Sequence, residues 1–242
     1  MASEPVVVLQ LGRVAYEAAW ELQRQLAAAR RAGTIPDTIL LLEHEPVFTT
    51  GRRGGTHNLR LSLAELATRG IHYYVTDRGG DVTYHGPGQL VAYVILRLGE
   101  GQRRVRRFVE RLEATVLDVL ETYGIAGWLD PAHPGVWVGN DKIAAIGIAI
   151  HHGVTYHGIA LNVTTDLEPY DWIVPCGIPD RGVTSLVQLL GRPLELAEVA
   201  QRWLEAFARR FERDVQLDRE PVRTLADVLP RLMSRPAAAT RS

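Results

Sequence analysis

Between residues 136 and 163 three apolar runs follow one another with only short turns between them, and this spacing narrows the possible folds more than any other feature. The runs are 136–138, 143–150 and 155–163; Gly139-Asn140-Asp141 joins the first two. His151-His152-Gly153 makes a hairpin-like turn between the second and third. Upstream, residues 103–123 carry Val105, Phe108, Leu112, Val116 and Leu120 on one stripe and read as an amphipathic helix closed by Gly124. Residues 14–31 place Val14, Ala18, Leu22 and Leu26 at helical spacing, with Gly33 and Pro36 as the stop. The run 38–43 (TILLLE) reads as a buried strand, and 71–76 and 90–98 as two more. Residues 52–58 form a loop, and 62–68 a short helix in which Ser62 and Glu65 make a capping box. A last helix, 194–210, turns Leu196, Val199, Trp203 and Phe207 inward. Strands and helices come in blocks rather than in βαβ alternation, so the expected class is α+β.

Composition excludes several roles. The 242 residues are 46% apolar with a formal charge of -1, which disfavours disorder and gives no global pull toward nucleic acid. One cysteine rules out an intramolecular disulfide framework and points to a reducing compartment. The first residues lack a basic segment followed by an apolar one, and no apolar run nears the ~20 residues of a membrane span. A cytoplasmic protein of one catalytic-sized domain, 1–212, is expected. The extension 213–242, rich in Arg, Pro and Ala, is expected to pack loosely or to be partly disordered.

Two side chains stand out by scarcity. Every basic residue except Lys142 is an arginine, and arginine cannot give up its proton near neutrality whereas lysine can. A lysine acting as a neutral base near pH 7 gives up about three pKa units, roughly 4 kcal/mol, part of which an ion pair with a thiolate avoids. Cys176, the sole thiol, sits in IVPCGIPD, where the flanking proline and glycine favour a turn and suit a nucleophile or a bystander equally. A thiol needs a base or a cation beside it. Lys142, His85 and His157 are candidates for that role, and His151 and His152 read as an exposed turn tip. A third feature is the glycine-rich stretch Arg78-Gly-Gly-Asp-Val-Thr-Tyr-His-Gly-Pro-Gly-Gln89. Its backbone can approach a ligand closely, but it lacks the phosphate-loop pattern and no helix follows it directly.

That stretch resembles the signature of the octanoyltransferases of lipoate biosynthesis, the lipoyl(octanoyl) transferase family. His44-Glu-Pro-Val-Phe-Thr-Thr-Gly-Arg52, Gly135-Val-Trp, Lys142-Ile-Ala-Ala-Ile-Gly147, His157-Gly-Ile-Ala-Leu-Asn162 and Val174-Pro-Cys-Gly-Ile178 are similar to its other motifs, in order, so that the likeness spans roughly residues 9–210. The resemblance implies a mixed β-sheet flanked by helices, as in biotin and lipoate protein ligase catalytic domains. It implies that Cys176 takes an octanoyl group as a thioester from octanoyl-acyl carrier protein. Lys142 lowers the thiol's pKa or acts as its base, and the acyl group passes to a lysine of lipoyl domains, those of 2-oxoacid dehydrogenases or the glycine cleavage H protein. The segments implied to bind the acyl group are Arg78, Gly79, Gly80, Asp81, Val82, Thr83, Tyr84 and His85, then Ala145, Ile146, Gly147, and Gly158, Ile159, Ala160. Arg52 and His157 are further candidates. No cofactor, metal, nucleic acid or membrane is implied, and a monomer is expected.

The chemistry agrees with this reading. A thioester donor is already activated, and burying six methylenes at ~0.8 kcal/mol each gives roughly 5 kcal/mol. Gly147 and Gly158 are expected to leave room for the chain between strands 143–150 and 155–163, and backbone N–H groups after Cys176 or in the glycine-rich stretch to hold the oxyanion. Arg103, Arg104, Arg106, Arg107 and Arg111 make the start of the long helix basic, suited to an acidic carrier protein or simply to solvent. The alternatives are an ATP-dependent lipoate or biotin protein ligase, which needs no thiol, and a non-catalytic module that binds acylated carriers.

Overall fold

The computed structural model describes residues 5–98, 101–174 and 181–235. Among these, one large mixed sheet has the order β12-β1-β2-β6-β10-β9-β8-β7, with a further short strand, β11, paired to β9. The strands are β1 (Val6–Val14), β2 (Thr38–His44), β6 (Gln89–Ile95), β7 (Trp128–Asp130), β8 (His133–Val138), β9 (Asp141–His151), β10 (Val154–Asn162), β11 (Gly182–Val183) and β12 (Val215–Leu217). β12, β1 and β2 run parallel, and from β2 through β6, β10, β9 and β8 to β7 every pairing is antiparallel. A second sheet of β3 (Val47–Thr50), β4 (His72–Val75) and β5 (Thr83–His85) has the order β4-β3-β5. The hairpin expected at 151–153 is present as the β9–β10 turn.

Both faces of the large sheet are covered, which is why its central strands read as continuous apolar runs rather than alternating ones. Val6, Val8, Ile39, Leu41, Val94 and Ala92 face α3 (Gln102–Thr122) and α5 (Leu196–Phe211), meeting Leu112, Val116, Trp203 and Phe207. Val7, Leu9, Leu40, Leu42 and Val91 face the other way, onto Ala19, Leu22 and Leu26 of α1 (Tyr16–Ala32). Each such side chain, fully buried, contributes roughly 1.5–3 kcal/mol. The small sheet packs Phe48, Val82 and Tyr84 against Leu66 of α2 (Leu63–Thr68), Tyr170 and Ile173. The capping box at the start of α2 forms as expected, with the Ser62 hydroxyl accepting from the Glu65 N–H (3.2 Å) and Glu65 accepting from the Ser62 N–H (2.8 Å). A short helix, α4 (Leu186–Leu190), precedes α5.

Several expectations are corrected. Val6–Val14 is a nine-residue strand in the middle of the fold's parallel part, and the first helix begins at Tyr16 rather than at residue 14. Val47–Thr50 and Thr83–His85 are strands, the latter inside the glycine-rich stretch. The extension after residue 213 is not loose as far as Arg235. β12 pairs with β1, and Val228 and Leu232 of α6 (Val228–Met233) are buried under α1. Buried Asp37 fastens that extension, bonding Arg30 (2.6 Å) and Arg213 (2.9 Å) and accepting the Arg97 N–H (3.1 Å). Among the described residues no helix is long and apolar enough to cross a membrane.

Candidate active site

β9 sets out a row of residues along one cavity of about 680 Å³, within the size range of small-molecule sites. Lys142, its second residue, has β8 on one side (opposite Trp137) and β11 on the other (opposite Val183). The side chain is 6% exposed. Its Nζ donates to the Pro134 carbonyl (3.1 Å) and lies 4.6 Å from the centre of the Trp137 ring, so the cation is held by a carbonyl and a π-face. Farther along the strand, Ala145, Ile146, Gly147 and Ile148 line the same cavity, and Ile159 and Ala160 of β10 line it beside them. The lysine and the apolar wall expected from sequence are thus brought together.

Gly147 and Gly158 stand opposite each other in the β9–β10 register, but the space they leave is taken by backbone. A Cβ on Gly147 would sit 3.0 Å from the Gly79 carbonyl and 3.2 Å from Arg78 Cδ, and one on Gly158 would collide with the Ala92 carbonyl. Gly147 therefore lets the glycine-rich segment lie on β9, where the Gly79 N–H donates to the Ile148 carbonyl (2.8 Å).

Arg78 braces that segment from within. Its guanidinium, 7% exposed, donates to the Thr49 carbonyl (2.7 Å), the Thr49 hydroxyl (2.9 Å), the Asp81 carbonyl (2.8 Å) and the Gly79 carbonyl (3.0 Å). Gly79, Gly80, Asp81, Thr83 and His85 line the cavity with Arg78. Val82 and Tyr84, expected beside them, do not. Strand alternation in β5 turns them into the small sheet's core, 0% and 3% exposed. Arg52 is exposed at the cavity wall, its N–H donating to the Arg78 carbonyl (3.0 Å). His151 and His152 stay exposed at the hairpin tip, off the cavity.

Three buried imidazoles form or back the other end. His157 has φ +58, a left-handed conformation unusual for a non-glycine residue, and Gln23 Oε1 accepts its N–H (2.7 Å). Its Nε2–H donates to Asp77 (3.0 Å), which also accepts from Tyr156 and Trp20. His85 Nδ1–H donates to Gln89 Oε1 (2.7 Å), and His44 Nδ1–H to the Val14 carbonyl (2.9 Å) while its Nε2 accepts from the Tyr93 hydroxyl (2.6 Å). These tautomers follow from the fixed acceptors. Burial pushes His85 well below the usual histidine range and His44 down to about 4, and it lowers His157 against the pull of Asp77. At neutral pH these three imidazoles are therefore uncharged, and the Asp77 carboxylate, held below the usual carboxylate range against its burial by its bonds from His157 and Tyr156, stands with Arg78 as a charge at this end.

Cys176 lies outside the described residues. Of the chain flanking 175–180, the downstream side meets the strand that carries Lys142, through β11, and the upstream side is held to the segment after β3. The Val174 N–H donates to the Asn58 carbonyl (2.8 Å), while Arg181 pairs with Asp130 (2.6 Å) and stacks 4.5 Å from the Trp137 ring centre. Sequence reasoning missed Tyr16, Arg53, Tyr93, Val109 and the run Ala132, His133 and Pro134, all of which line the cavity. They come from α1, the turn after β3, β6, α3, and β8 with the turn before it, and no local motif announces them. Among the described residues no group of three or more His, Cys, Asp or Glu is placed to hold a metal.

Residues 15–208 match the family model described as the lipoyl protein ligase A/B catalytic domain. The chain is 46% identical over 209 residues to an octanoyltransferase of Alkaliphilus metalliredigens, covering 86% of this chain and 96% of that one. It is 50% identical over 209 residues to an octanoyltransferase of Chloroflexus aurantiacus, covering 85% and 94%. Among solved structures it is similar to the bi-partite lipoate protein ligase of Thermoplasma acidophilum, described with its E2 lipoyl domain, at a TM-score of 0.72 and 16% identity over 96% of this chain and 91% of that one. That last likeness is one of fold. The chain belongs to the lipoyl protein ligase A/B catalytic domain family and, within it, to the octanoyltransferases.

Proposed function

We propose that the chain transfers an octanoyl group from octanoyl-acyl carrier protein to a lysine of lipoyl domains, through a thioester on Cys176, with Lys142 as the proton-handling partner. One observation carries this reading. The only lysine of the chain is buried in a cavity that Ala145, Ile146 and Ile148 of β9 and Ile159 and Ala160 of β10 line with aliphatic side chains, where an acyl chain gains roughly 5 kcal/mol from burial. The reaction has two halves. The Cys176 thiolate, its proton held by Lys142, attacks the thioester carbonyl, and the departing carrier thiolate takes that proton back from Lys142. The incoming lysine amine then attacks the acyl-enzyme, neutral Lys142 accepts the amine proton, and the Cys176 thiolate leaves. The donor is already activated, so no nucleotide is consumed. A single cysteine and a thioester substrate suit the reducing cytoplasm.

The test is to mix the protein with octanoyl-carrier protein without ATP and weigh it by mass spectrometry. An octanoyl adduct on Cys176, absent in Cys176→Ala, is expected. Lys142→Arg keeps the charge but cannot act as a base, so kcat falls by about 10²- to 10⁴-fold. Turnover by Cys176→Ala that requires ATP would make the protein a ligase. No adduct and no turnover at all would leave a carrier-binding module.

A further inference from the structure

Two hydrogen bonds at the head of the cavity meet on one peptide unit. Lys142 Nζ donates to the carbonyl of Pro134 (3.1 Å), and the N–H of the same peptide, from Gly135, donates to Glu113 Oε1 (3.1 Å). Glu113 projects from α3 and is 8% exposed. The cavity lining reaches the same helix at Val109, one turn earlier. From the geometry we infer that Glu113 is a positioning residue for Lys142, acting through the Pro134–Gly135 peptide; the inference rests on the role proposed for Lys142 above.

The physical case has three parts. A carboxylate that accepts an amide N–H polarises that amide and strengthens its carbonyl as an acceptor, so the two bonds reinforce each other in a site screened from water. The peptide can lie this close to the lysine because residue 135 is glycine. Its φ is +130, and a Cβ there would come within 2.6 Å of the Ala144 carbonyl, 3.2 Å of Lys142 Cε and 3.3 Å of Lys142 Nζ. Finally, the carboxylate and the lysine feel each other. Burial holds the Glu113 carboxyl above the usual carboxylate range, with the Gly135 N–H pulling it down, Glu110 one turn earlier on α3 pushing it up, and Lys142 on β9 pulling it down. Without Glu113, the peptide that accepts from the ammonium loses the group that fixes its plane.

Because the chain has one lysine, protein grown on lysine labelled with ¹³C at Cε gives one lysine signal, which reports on Lys142 without reference to turnover. In Glu113→Ala that signal is expected to move toward the position of a solvent-exposed lysine. The kcat for octanoyl transfer is expected to fall by about 10- to 100-fold, as small misplacements of a reacting group do, with KM for the carrier substrate within about twofold. Glu113→Gln keeps an oxygen to accept the Gly135 N–H and is expected to restore both readings to within a few-fold of the parent. An unmoved signal or an unchanged kcat in Glu113→Ala overturns the inference. So does a Glu113→Gln protein no better than Glu113→Ala, and if Glu113→Ala does not fold, a Glu113→Gln protein that has lost its parent-like signal overturns it instead. Lys142→Ala separates the two claims. If Lys142→Ala still turns over at the parent rate, the proposed role of Lys142 fails; if it is inactive while Glu113→Ala is fully active, only the role of Glu113 fails.

Discussion

Acidification from pH 7.5 to pH 5.0 is expected to weaken the fold through histidines that cannot take a proton where they are. His44 is the best defined. It is 0% exposed behind the cavity, both ring nitrogens are engaged, and burial holds its pKa at about 4 against an ordinary value of 6.5. Between those values the unfolded chain binds a proton that the folded one refuses. Its contribution is therefore complete above pH 6.5 and drains away as pH falls toward 4. The whole gap corresponds to about 3 kcal/mol at ~1.36 kcal/mol per unit, of which about 2 kcal/mol is lost by pH 5.0. His85 and His157 are displaced in the same direction and add to the loss. Asp77 and Asp130, held below the usual carboxylate range, release their contribution only at lower pH, and Glu113, held above it, works in the opposite sense. Urea unfolding followed by tryptophan fluorescence at both pH values measures the loss. His44→Gln replaces the imidazole with a group that does not titrate, so its stability changes by about 2 kcal/mol less over the same interval. Equal pH dependence in parent and variant would show that His44 accepts protons as readily folded as unfolded, and the reasoning would be wrong.

Asp37→Ala removes the carboxylate shared by Arg30, Arg213 and the Arg97 N–H. A loss of about 3 kcal/mol in urea unfolding is expected, with faster proteolysis in the 213–235 segment. Arg103 and Arg107 lie exposed on one side of α3, the helix that also supplies Val109 to the cavity. Reversing both charges with Arg103→Glu and Arg107→Glu lowers kcat/KM for an acidic carrier substrate at low salt and flattens its salt dependence while kcat holds. An unchanged kcat/KM at low salt means that this face is only solvated.

Local signals were legible wherever the physics was local. The Ser62–Glu65 capping box, the turn at 151–153 and the amphipathic stripes of α3 and α5 are each decided by residues within a few positions of one another. Val6–Val14 was hidden because its partners, β2 and β12, lie about 30 and 200 residues away, and parallel pairing leaves no turn signature between them. The tail misled for the same reason. Its Arg and Pro content looks unstructured until Asp37, Asp218 and the face of α1 supply what it packs on. In the candidate site, the motif residues of the glycine-rich stretch, β9 and β10 were readable. The strand period that turns Val82 and Tyr84 away from the cavity is masked by the glycines and proline on either side of it. Tyr16, Tyr93 and Pro134 reach the cavity from elements that meet only in three dimensions.

The paired glycines of β9 and β10 carry a lesson for anyone wishing to redesign the proposed acyl groove. Their vacancies are already filled by the main chain of neighbouring segments, so enlarging a side chain there would prise strands apart rather than shorten the groove. In the proposed reading, Ala145, Ile146, Ile159 and Ala160, which line the cavity with side chains rather than bare backbone, are the positions at which a substitution changes its bore.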